Sequence, residues 1–155
     1  MLNRRLSRTC NLEDFLVSET AIRLGLHNDP ANEVVVERLQ LLAERIIEPV
    51  GDAFDTRPMI TSGYRGPALN TAIGGSEKSQ HLSGQAVDFQ VPGVAAIDVA
   101  RWVAEHLVFD QLILEQDSTG QEWVHCSYVS PEANRGQVMH MKGGAFFDGL
   151  PETWP

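Results

Sequence analysis

An α+β domain, with N-terminal helices packed on a small antiparallel sheet, is the fold class this chain predicts. Three observations carry it. In the first third, apolar residues recur at helical spacing, through Val35, Leu39, Leu42, Ile46 and Val50. Later they alternate, with Val87, Phe89 and Val91 set against Ala86, Asp88 and Gln90, which is the period of a half-buried strand. Helical segments therefore cluster early and strands late, the order of segregated layers rather than of βαβ units.

The elements follow in order. Asn11-Leu-Glu-Asp-Phe-Leu reads as a short N-capped helix, and Ser18 to Gly25 as a second, closed by a C-cap glycine. Asn28 to Asn32 is a loop. The main amphipathic helix is predicted from Glu33 to about Phe54, with Pro49 bending it near its end. Met59 to Ser62 is a short strand ending at a Gly63 turn. Pro67 to Ile73 is a short helix stopped by Gly74-Gly75, and Ala86 to Val91 a strand. Val94 to Val108 is a helix with Ile97, Ala100, Ala104 and Leu107 inward. Gln111 to Glu115 and Trp123 to Val129 are strands joined by the turn-rich Asp117-Ser-Thr-Gly, and Gln137 to Met141 is a last strand. The remaining tail reads as irregular. No repeat, low-complexity tract or linker interrupts the 155 residues, so one domain over 1–155 is expected.

Composition excludes several functions. The net charge of −9 argues against nucleic acid, whose binders present basic patches. No apolar run approaches the roughly 20 residues of a membrane span. The basic Met1 to Arg8 stretch leads into Asn11-Leu-Glu-Asp rather than an apolar core, so no secretory leader is expected. Action outside the cytoplasm would then require release, or carriage in a particle. Cys10 and Cys126 make no disulfide framework, and reduced, partly buried thiols are the expectation.

Chemistry concentrates in two places. Ser79-Gln-His-Leu-Ser-Gly-Gln-Ala-Val-Asp88 holds His81 and Asp88 with six residues between them, one a glycine, and Glu122-Trp-Val-His125 adds a second histidine. Two imidazoles, one ligand carboxylate and one spare carboxylate are the inventory of a catalytic zinc site, which keeps a position open for water and needs a base. A structural zinc site would close all four positions, usually with thiolates. Bound zinc brings the pKa of water from about 15.7 toward 7, which suits amide hydrolysis. On one regular strand Glu122 and His125 would face opposite sides, so Glu122 is expected in the turn, with His125 on the strand.

Taken in order, Thr61-Ser-Gly-Tyr-Arg65, Ser79-x-His81-x-x-Gly84-x-Ala86-x-Asp88 and Glu122-Trp-Val-His125 resemble the zinc D-alanyl-D-alanine carboxypeptidase family. That family also contains L-alanyl-D-glutamate endopeptidases and many bacteriophage lysis enzymes. The similarity runs from about Leu12 to about Arg135. It implies a Hedgehog- and DD-peptidase-like fold, a Zn2+ cofactor held by His81, Asp88 and His125, and Glu122 as catalytic base. Arg65 would polarise the scissile carbonyl and contact substrate, and Ser79 would contact substrate or orient the site. The implied substrate is the peptidoglycan stem peptide, cut by a monomer acting in phage lysis or wall remodelling. Two rival readings stand beside this one: a non-catalytic wall-binding or virion module of the same fold, and a cytoplasmic D-alanyl-D-alanine dipeptidase.

Each residue also has a plainer reading. His81 alone is an ordinary loop histidine, Asp88 a solvated strand residue, His125 a satisfied sheet histidine, and Arg65 a partner for some surface carboxylate. Glu115 and Asp117 are the substitutes if Glu122 points away. His27, His106 and His140 have no comparable partners and are left out of the site.

Overall fold

The computed structural model describes residues 4–154; the N-terminal Met1, Leu2 and Asn3 fall outside it, as does Pro155. A 3-10 turn at Leu12–Phe15 opens the described chain, followed by α1 (Glu19–Leu24), α2 (Glu33–Leu42) and α3 (Glu48–Phe54). Ser18 caps α1 by accepting from the Ala21 amide, and Gly25 closes it at φ 66°. Asn32 caps α2 in the same way through Val35.

The long helix expected over 33–54 is not regular throughout. Between α2 and α3 the backbone widens into a π turn at Ala43–Ile47. Pro49 lies near the start of α3. It has no N–H, and its ring crowds the carbonyl four residues back, so a wider turn just upstream relieves the clash. The bend expected at Pro49 is therefore taken up one turn earlier.

The strands are β1 (Met59–Ser62), β2 (Ala86–Gln90), β3 (Gln111–Gln116), β4 (Glu122–Ser127), β5 (Gln137–Lys142) and β6 (Ala145–Asp148), with α4 (Pro67–Ala72) and α5 (Ala96–His106) between them. They form one sheet in the order β1-β2-β4-β3-β5-β6. The class is α+β, but the sheet is mixed where an antiparallel one was expected, because β5 runs parallel to β3. The tail expected to be irregular supplies β6, which pairs back on β5 around Gly143-Gly144, both at positive φ.

Alternation divides the two faces of the sheet. Val87, Phe89, Leu112, Leu114, Val124 and Cys126 point into a core shared with Phe15, Val36, Leu39, Leu42, Ile46 and Val50 from the helical layer. Burying a side chain of this size contributes roughly 1.5–3 kcal/mol each, so the helical layer is held chiefly by this face. The other face carries Asp88, Ile113, Glu115, Trp123 and His125 and is not covered by the helices.

Cys10 and Cys126 are both free and buried. Burial pushes both thiols above the usual range, Cys126 furthest, in the direction of an inert thiol. None of the described helices is long and apolar enough to cross a membrane.

Candidate metal centre

Three local devices bring the site together. Ser79 caps a 3-10 turn, Gln80–Ser83, by accepting from the His81 amide at 3.2 Å, and Gly84 ends the turn at φ 75°. A Cβ on Gly84 would lie 3.0 Å from both a methyl and the carbonyl oxygen of Val35, so the turn packs against α2 only with glycine there. His81 is thereby held over the open sheet face. Asp88 on β2 pairs with His125 on β4, which puts the two side chains side by side on that face.

The geometry is tight. His125 Nδ1 is 2.9 Å from Asp88 Oδ1, and His81 Nε2 is 3.4 Å from the same oxygen. Ligand atoms from all three residues lie within 4.8 Å of one another. The imidazole rings of His81 and His125 meet edge to face at 5.2 Å. The other nitrogen of His81, Nδ1, donates to the Gly63 carbonyl at 2.7 Å. A carbonyl can only accept, so Nδ1 carries a proton and Nε2 is the nitrogen turned toward Asp88 and His125. Gly63 can approach because it has no side chain: a Cβ there would stand 2.5 Å from the Phe15 carbonyl oxygen.

Electrostatics follow the burial. Desolvation alone would raise the Asp88 carboxyl, but the charge of His81 and hydrogen bonds from His125 and His81 outweigh it, and the group stays well below the usual carboxylate range. Burial lowers His81. Burial also works against charge on His125, yet its bond to Asp88 wins and raises it. Arg65 Nη2 reaches Asp88 Oδ2 at 3.4 Å, while its Nε donates to Ser62 Oγ at 3.0 Å. Its backbone amide also donates to the His81 carbonyl at 3.1 Å. Arg65 thus braces one ligand by side chain and the turn carrying another by main chain.

The spare carboxylate is Glu115. It stands on β3 opposite Trp123, whose indole N–H donates to it. Burial and the negative charge of Asp88 both raise its pKa. Glu115, Arg65, His81, Asp88 and His125 all line one open cleft of about 970 Å³.

Glu122 requires a correction. It is the first residue of β4, paired with Gln116, and does not sit in the turn. Because three residues separate it from His125, its side chain takes the opposite face, beside Phe89, Val91, Val94 and Val124 in a separate apolar recess. One of its carboxylate oxygens is buried there without a hydrogen-bond partner, and burial raises its pKa. Glu122 is accordingly separated from the cluster by the sheet itself. The signal for Glu115 was present in the chain: Gln111, Ile113 and Glu115 alternate on β3 as Trp123 and His125 do on β4. Asp117 stays in the β3–β4 turn, accepting from the Thr119 and Gln121 amides.

A second buried carboxylate braces the neighbourhood. Asp110 accepts from Arg135 Nη2 at 2.8 Å, from Arg135 Nε and its amide at 3.0 Å, and from Gln80 Nε2 at 2.9 Å. It ties the turn bearing His81 to the segment leading into β5. Neither the spacing nor the alternation of the sequence marked it.

The donor set fits a metal. A tetrahedral ion ~2.1 Å from each ligand would hold them ~3.4 Å apart, close to the separations observed. Two imidazoles and one carboxylate, with the open side facing a cleft, match a site that leaves a position for reactant rather than a closed structural site. With a carboxylate and a guanidinium on the same face, the fold and site define a metal-dependent hydrolase class. The Peptidase M15 family model matches residues 9–127, and the chain belongs to that family. The family is zinc-dependent, in keeping with His81, Asp88 and His125 as a possible metal site. Comparison with curated proteins returned no match.

Proposed function

We propose that the protein is a zinc peptidase that hydrolyses a peptide bond of the peptidoglycan stem, either D-alanyl-D-alanine or L-alanyl-D-glutamate. The observation that carries this reading is the convergence of His81, Asp88 and His125 beside Glu115 and Arg65 on an open sheet face. Zinc held by the three ligands would supply a Lewis acid for the carbonyl and an acidified water. The chain does the rest. Glu115, anchored by Trp123, accepts the water proton and returns it to the departing amine. Burial and the charge of Asp88 raise its pKa, which favours holding the proton between the two transfers. Arg65, held by Ser62 and Asp88, presents its remaining N–H groups to the substrate carbonyl or a neighbouring carboxylate.

The cleft is open and about 970 Å³, roomier than a free dipeptide requires, which supports an extended peptide. Action at the wall, after lysis or from a phage particle, is the setting that suits such a substrate. The test is incubation of purified peptidoglycan with the zinc-loaded protein, followed by mass spectrometry of the released muropeptides. Loss of one defined stem bond, abolished by chelator and restored by zinc, is expected. Unchanged muropeptides would overturn the reading and favour a binding module.

A further inference from the structure

The family match ends at residue 127, yet the sheet continues through β5 and β6. The register of β5 and β6 is specific. Ile113 pairs with His125 on one side and Met139 on the other. Glu115 pairs with Trp123 and with Met141, and Met141 with Phe146. Two rows of side chains therefore cross the sheet at right angles to the strands. One runs Asp88, His125, Ile113, Met139, Asp148; the other Trp123, Glu115, Met141, Phe146. The first starts in the metal centre and passes through Ile113 and Met139 to Asp148, and the second runs from Trp123 and Glu115 beside that centre to Met141 and Phe146. Ile113, Met139, Met141 and Phe146 line the same cleft as His81, Asp88 and His125.

We infer that the β5–β6 hairpin forms an apolar subsite for the substrate peptide, built from Ile113, Met139, Met141 and Phe146. The inference rests on the peptidase reading above. Strands lie about 4.8 Å apart, so the strip reaches ~10–15 Å beyond His125. An extended peptide advances ~3.3–3.6 Å per residue, so about three residues past the scissile bond lie over it. A floor of two methionines, an isoleucine and an aromatic ring favours short apolar side chains such as alanyl methyls. Methionine adapts its shape to them. Phe146 is 54% exposed, so its ring is available to a bound peptide. The opposing rim is polar, with Ser76, Lys78 and Gln80. Asn70 pins that rim by donating to the Ser76 carbonyl at 3.0 Å, and Gly75 fits because a Cβ there would strike the Asn70 side chain. Lys78 is placed to meet a carboxylate on the peptide's other edge. The hairpin thus sets the length and polarity of the substrate, while the metal centre sets the reaction.

The experiment measures binding of a synthetic stem pentapeptide to zinc-loaded protein by calorimetry, alongside its hydrolysis. Phe146→Ser and Met141→Thr are compared with Ile22→Ser, which removes an exposed apolar group of α1 outside the cleft. The hairpin variants should each weaken pentapeptide binding about tenfold, the usual effect of losing a large apolar contact, with zinc content unchanged. Ile22→Ser should bind like wild type. Equal affinity in all four proteins overturns the subsite, whatever the turnover. Binding that depends on the hairpin without any hydrolysis keeps the subsite and overturns the peptidase reading. No binding by wild type overturns both.

Discussion

At Glu115 the chain holds a carboxyl that burial and the charge of Asp88 push toward its protonated form, while the Trp123 indole keeps it aimed across the strand. That is the position a proton-shuttling group needs, and Glu122 lacks it. Glu115→Gln should retain zinc and lose turnover by roughly 10²–10⁴, the usual contribution of general acid–base catalysis. Glu122→Gln should stay active, since its side chain faces the apolar recess. Muropeptide hydrolysis at equal zinc occupancy decides between them, and full activity of Glu115→Gln would remove Glu115 from the reaction. Arg65 makes a sharper demand on shape. Its guanidinium bridges Ser62 and Asp88 at once, which a lysine ammonium on a flexible stem does not reproduce. Arg65→Lys should lower turnover at least tenfold, and an unchanged rate would show that charge alone suffices.

At the scale of elements, the end of β1 matters more than its four residues suggest. Gly63 follows it, accepts from His81 and packs against Phe15 in the first 3-10 turn. The N-terminal layer thus sets the orientation of a candidate metal ligand, His81, far away in sequence. Gly63→Ala puts a methyl into the Phe15 backbone, and overpacking of this kind costs about 1–3 kcal/mol. Thermal unfolding should fall by roughly 3–10 °C. Zinc affinity, read by chelator competition, should weaken about tenfold because the partner of His81 is displaced. A variant that loses thermal stability but keeps wild-type zinc affinity would show that the bond does not orient the ligand.

For the whole molecule, Asp110 joins parts of the chain that secondary structure leaves separate. Hydrogen bonds from Arg135 above all, with one from Gln80, bring its carboxyl from 3.8 down to about 2 despite the opposing effect of burial. A depressed carboxyl stabilises the fold above its unfolded pKa, and that contribution disappears as pH falls through the window from about 4 to about 2. A shift of that size corresponds to about 2 kcal/mol at neutral pH. Asp110→Asn should therefore unfold at a lower temperature than wild type at pH 7, and the gap should close toward pH 2. A gap independent of pH would mean that the hydrogen bonds, not the charge, carry the contribution.

The sequence by itself determined the α+β class, the helix caps at Ser18 and Gly25, most strand positions, and His81, Asp88 and His125 as candidates that the fold brings together. Those features are local: a period, a cap or a turn residue acts over a few positions, and the histidine and aspartate spacing lies within one turn and one strand. What the tertiary structure decided depends on pairing between distant segments. Which glutamate shares a face with His125 is a matter of register, and β3 supplied Glu115 where sequence proximity pointed to Glu122. The parallel placement of β5, the β6 strand and the Asp110 hub are likewise invisible locally, because a strand's neighbour and direction are chosen by long-range contacts rather than by its own residues. The π turn before Pro49 belongs to the same group, since proline announces a disturbance but packing decides where the helix absorbs it.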